Sequence, residues 1–204
     1  GAGTSSATAT MVLRGADVGL SAGGEEIDAI AMVYANTAPT LDGSKSPTLA
    51  AQGEDSGAPV GAVGTLVSSL VDFASPAGQV DNVTDPDFSP LLGIAVTAAD
   101  ASQGAWWYST NGGTNWNALG AVNDASARLL AGDASTRLYF RPNADWNGTL
   151  ANAISLRAWD QTSGANGGLA NSTVNGGNTA FSAISDTVSL TVSSVDDAVT
   201  FGGN

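Results

Sequence analysis

RLYFRPNADWNGTLANAISLRAWD, residues 137–160, settles the class of fold. Arg137 to Arg141 alternates polar and apolar side chains. Ala153 to Asp160 does the same, with Ile154, Leu156 and Ala158 on one face. A period of two marks a half-buried strand. Between the two runs, Pro142 to Gly148 is rich in residues that favour turns. The pattern repeats outward. Thr187–Val192 alternates cleanly, and Leu91 to Ala98 puts Leu92, Ile94 and Val96 on one face. Ala105–Ser109 and Asn115–Leu119 flank Asn111–Gly112–Gly113–Thr114, a hairpin whose turn suits positive φ. Shorter strands are expected at Met11–Leu13, Ile27–Tyr34 and Thr48–Ala50, and within Val63–Phe73, where LVSSLVDF also suits a short helical turn. Val80–Asp87 reads as an acidic loop. Turn signals recur every ~8–12 residues, the spacing of an antiparallel β-sandwich.

Composition agrees and excludes much else. The 204 residues carry six Lys+Arg against nineteen Asp+Glu, a net charge of −13, with no His and no Cys. Ser–His–Asp and Cys–His catalysis, Cys/His zinc sites and disulfides therefore lack their residues. A field of this sign repels phosphate, so nucleic acid is excluded as a partner. Membrane insertion is not expected, because the longest apolar run, Leu91–Ala99, has nine residues, against the ~20 of a spanning helix. No basic stretch followed by an apolar one opens the chain. Apolar residues make up 43% of the chain, enough for a core. Helix-surface residues are scarce, with Lys45 the only Lys.

The joints suggest a modular layout. NTAPTL (36–41) and VDDAVTF (195–201) each follow a strand, so residues 36–197 span one module. Residues 1–35 are then the tail of a preceding module or accessory strands of the same sandwich. Residues 198–204 are a linker or the first strand of a following module.

Several segments together resemble a known family. These are QGEDSGAPVG (52–61), VTDPD (83–87), WWYSTNGGTNW (106–116), FRPNADWNGT (140–149), SLRAWDQTSG (155–164) and SDTVSLTVSSVDDA (185–198). In this order they resemble the cadherin-like repeat of giant bacterial surface proteins and type I-secreted, RTX-type adhesins, over roughly residues 36–200. The resemblance implies an immunoglobulin-like, Greek-key sandwich, secretion to the cell surface, tandem neighbours and calcium between domains. One departure concerns the joint sequence NDAP. It stands as Asn36–Thr37–Ala38–Pro39 at one end and Asp196–Asp197–Ala198–Val199 at the other, so the first joint lacks its Asp.

The candidate calcium ligands are Glu54, Asp55, Asp85, Asp87, Asp160, Asp186, Asp196 and Asp197. Calcium takes six to eight hard oxygens from carboxylates and carbonyls. Asp85–Pro86–Asp87 projects two carboxylates to one side of an extended chain, and Pro86 stiffens the loop. Strands of a sandwich return to the same end, so distant carboxylates can converge there. The alternative is that these are solvated turn aspartates.

The aromatic set is Trp106, Trp107, Tyr108, Trp116, Trp146 and Trp159. Adjacent Trp106 and Trp107 face opposite sides of a strand, so one of them is open to stacking on a surface glycan. The alternative is a core with cross-strand aromatic pairs, and Trp146 and Trp159 are assigned to the core or to supporting the turn. No enzyme is expected. The acids form no marked glycosidase pair, and Lys45 sits in the loop DGSKSP, unsuited to a buried isopeptide bond. The Gly/Asn-rich stretch 163–178 reads as a ligand loop or a long strand connection. The expected role is an extender or adhesion module stiffened by calcium, with neighbouring repeats or identical subunits as partners. A cell-surface glycan or protein is a further partner. The rival role is a filament subunit that donates Met11–Leu13 and Ile27–Tyr34 as strands to a neighbour.

Overall fold

The computed structural model describes residues 35–197, which fall within one compact unit. The strands expected at Met11–Leu13 and Ile27–Tyr34, the segment 1–35 up to Tyr34, and the stretch 198–204 lie outside the described residues.

The architecture is all-β. The strands are β1 (Thr40–Leu41), β2 (Gln52–Gly53), β3 (Thr65–Leu66), β4 (Val83–Thr84), β5 (Gly93–Ala99), β6 (Gly104–Ser109) and β7 (Asn117–Ala118). They continue with β8 (Ala127–Ala131), β9 (Arg137–Pro142), β10 (Gly148–Trp159), β11 (Leu169–Ala170) and β12 (Asp186–Ser193). The helical alternative within 66–73 is realised as one 3₁₀ turn, Val67–Ser69, directly after β3.

A six-stranded sheet has the order β11-β8-β5-β10-β12-β2, and a four-stranded sheet the order β3-β9-β6-β7. β1 and β4 form a separate pair, β4 lying inside the stretch Val80–Asp87 that the sequence presents as an acidic loop. Between the named strands the pairing is antiparallel with one exception, and two isolated bridges, Thr48↔Ser189 and Phe73↔Val83, are also parallel. β2 runs parallel to β12 through Val192↔Gln52 and Ser193↔Gly53, which corrects the purely antiparallel expectation.

One core joins the two larger sheets, as in a β-sandwich. Ile94, Val96, Leu130, Leu156, Val188 and Leu190 of the first sheet meet Trp106, Tyr108, Leu138 and Phe140 of the second. Trp106 stacks at a tilt on Phe140, with ring centroids 4.8 Å apart, and donates its indole N–H to the carbonyl of Asp100. β12 keeps the alternation its sequence shows, every second residue being buried.

β5 and β8 differ from that pattern because both their faces are covered. Ala95 is as buried as Ile94 and Val96. A second, smaller cluster forms on the outer face from Ala95, Ala127, Leu129, Trp159, Ala180 and Phe181. The cover is the Gly/Asn-rich connection that follows β10. Leu129 exchanges backbone hydrogen bonds with Gly167 and Gly168, and the Trp159 indole N–H donates to the Ser163 carbonyl. Gly164 has φ +82°, and a Cβ there would collide with Leu129 Cδ1. Only glycine fits both the conformation and the space. The long connection is therefore a strap over the sheet.

Burial this complete makes the strap anchor costly to remove. Trp159→Ala is expected to lower stability by about 3–5 kcal/mol. The measurement is the denaturant midpoint at unchanged slope.

Candidate metal centre

β10 sets the geometry of the acidic residues. Its twelve residues span about 36 Å at the usual rise per residue. Asp145 and Asn147 precede its start, and Asp160 follows its end. β12 lies antiparallel beside it, so Val192 sits opposite Gly148 and Asp186 opposite Leu156. Acidic residues therefore gather in two groups, one at each end of β10.

The group at the start of β10 is built on Glu54, which is buried just after β2. Its Oε1 accepts the Val195 backbone N–H at 2.6 Å, and its Oε2 accepts the Asn147 side-chain amide at 2.7 Å. These bonds, the Val195 amide first, hold its carboxyl below the ordinary Glu range. One carboxylate thus ties together the loop after β2, the turn before β10 and the stretch after β12. The turn is held from beneath by Trp146, which meets Phe140 edge-on at 6.4 Å.

This clasp brings Asp55, Asp145 and Asp197 together at the surface. One carboxylate oxygen from each lies within 4.8 Å of the others. Among the described residues it is the one acidic grouping this close. Desolvation, then the charges of Asp197, Glu54 and Asp145, push the Asp55 carboxyl above its ordinary value. Asp196 is exposed and stands outside the trio.

The group at the other end is looser. Asp160 is buried, accepting the Asn36 side-chain amide at 2.9 Å on Oδ2, and the Thr162 backbone N–H and hydroxyl on Oδ1. Asp87 accepts the Thr37 N–H, and Asp85 accepts the Asp87 N–H. Asp85 Oδ2 is shielded and has no partner among the described residues. Burial is the main cause raising the Asp85 carboxyl, with the charges of Asp87 and Asp160 acting the same way. Asp186 stands on β12, bonded through Oδ1 to the Ser46 hydroxyl and its neighbour's amide, with Oδ2 unpartnered among the described residues.

Sequence reasoning named Glu54, Asp55, Asp196 and Asp197 among its candidates, but it missed Asp145 and Asn147. Their signal was the turn NADWNG, which places Asp145 at φ +58° beside the anchoring Trp146. The tryptophans divide as their adjacency requires. Trp106 is in the core, and Trp107 is on the outer face of the four-stranded sheet. Comparison with protein-family models, curated proteins and solved structures yields no match. No helix among the described residues is long and apolar enough to cross a membrane.

The depressed Glu54 carboxyl has a definite pH signature. Its contribution is fully present above the ordinary Glu value of 4.5 and is lost as pH falls through the lower folded value. Asp55 acts in the opposite sense, because its raised folded value favours the fold when it is protonated. Glu54→Gln is therefore expected to flatten the acid limb of stability below about pH 4.5, read from denaturant midpoints in EDTA. An acid limb as steep as the wild type's would contradict the clasp.

Proposed function

We propose that this chain is a cadherin-like structural module of a bacterial cell-surface or secreted protein, stiffened by calcium at its ends. The observation that carries the reading is the meeting of Asp55, Asp145 and Asp197 from three separate segments. Three carboxylates offer hard oxygens to a cation that accepts six to eight, with backbone carbonyls and water completing the shell. Asp197 lies on the stretch that leaves β12, Asp145 on the turn before β10, and Asp55 on the loop after β2. A cation held by all three fixes the direction in which the chain leaves the sandwich. Without it the carboxylates repel one another and the exit is free to swing. The module is then limp without calcium and rod-like with it.

The acidic group at the far end of β10 supports the same reading, since a module with carboxylates at both ends suits tandem neighbours or identical subunits. The rival filament reading needs a long free edge to receive a donated strand. The outermost strands β2, β3, β7 and β11 are two residues each, which gives little backbone to pair with.

Calcium is expected to raise the melting temperature by linkage, by about 2.7 kcal/mol of stability at a hundred times Kd. Asp145→Asn removes most of that gain. Asp55→Asn separates charge relief from binding, because it raises the melting temperature in EDTA and reduces the rise on adding calcium. Identical melting curves in EDTA and in excess calcium would overturn the proposal.

A further inference from the structure

The outer face of the four-stranded sheet carries aromatic residues that the core does not use. Trp107 lies opposite Tyr139 in the β6–β9 pairing, and Trp116 meets Tyr139 edge-on with centroids 5.8 Å apart. The loop 57–63 crosses this face and is held there, since the Tyr139 hydroxyl donates to the Gly57 carbonyl and the Trp116 indole N–H to the Gly61 carbonyl. Gly113 lets the hairpin turn press against that loop, because a Cβ there would strike the Gly61 carbonyl. What remains between loop and turn is a groove of about 370 Å³, lined by Trp107, Trp116, Val60, Thr114 and Asn115 among others. Its size falls in the lower range of small-molecule sites (~300–1,000 Å³).

We propose that this groove binds a neutral sugar unit of a glycan. The chemistry of the walls selects it. Indole rings offer flat apolar surfaces for the C–H face of a pyranose. The side chains of Thr114 and Asn115 form no hydrogen bond among the described residues, which leaves a hydroxyl and an amide to meet sugar hydroxyls. The Trp107 indole N–H has no acceptor either, but it is shielded from solvent, so Trp107 offers the groove its ring and not its donor. No described residue lining the groove is charged, so it holds nothing to pair with a carboxylate or sulfate. The net charge of −13 further disfavours acidic glycans. The groove is held open by bonds within the fold, so little ordering opposes binding. Trp106, the other sequence candidate for stacking, is withdrawn into the core, and Trp116 takes its place beside Trp107.

The test is saturation-transfer NMR on the full chain with four neutral probes: cellohexaose, laminarihexaose, mannohexaose and maltohexaose. It is run in calcium and in EDTA, so that failure here is read separately from failure of the calcium reading. At least one probe is expected to bind saturably with Kd below about 1 mM. Asn115→Ala, an exposed change that leaves the melting temperature in place, and Trp116→Ala are each expected to weaken it at least about tenfold. Three outcomes overturn the proposal. They are no saturable binding to any of the four, binding undiminished in both variants, and capture of a decaproline peptide in place of the sugars.

Discussion

β10 is the constraint on which the rest depends. It pairs with β5 on one side and β12 on the other, so it sits inside the larger sheet and is laddered on both edges over Ile154–Leu156. Its alternate side chains feed two cores. Ile154, Leu156 and Ala158 enter the space between the sheets, and Trp159 anchors the strap on the outer face. Slipping this strand by one residue would exchange those faces and empty both clusters. The same rigidity fixes where the acidic residues stand, because Asp145 and Asp160 lie just beyond its two ends.

The distribution of charge follows from that frame. The cationic side chains whose bonds are described hold backbone carbonyls along the flanks. Arg128 bonds to Gly167 and Leu119, Arg157 to Ser182 and Ala183, and Lys45 to Asp81. The one ion pair among the described residues, Arg157 with Asp124 at 3.3 Å, is away from the trio. The carboxylates of Asp55, Asp145 and Asp197 thus face one another with no protein cation beside them among the described residues. Glu54 is set apart from them by its bonds to Val195 and Asn147, and it acts as a clasp that shapes the site. A divalent ion is the counter-charge this arrangement suits, and the proposed stiffening comes from joining three segments at one point.

Much of the fold was legible because single-face burial writes itself as alternation. β12 was readable on that ground, and the hairpin around Asn111–Gly113 was readable from its turn residues. β8 was not, since ARLLA is buried on both faces and carries no period. The strap was legible as a long connection, but its packing was not, because its contacts are made by backbone and by glycines that have no side chain to leave a pattern. At the candidate site, Asp197 was visible as an acid at a joint and Asp55 as one in the segment QGEDSGAPVG. Asp145 was hidden in a turn motif, and its place beside them depends on pairings more than forty residues apart in sequence, such as Gly148↔Val192. No local pattern encodes that.

The most direct measurement is a calcium titration followed by backbone amide NMR of the isotope-labelled protein at neutral pH. The account predicts saturable shifts concentrated at Asp55, Asp145 and Val195–Asp197, absent in Asp145→Asn. A spectrum unchanged by calcium, or shifts that leave those residues untouched, would contradict it.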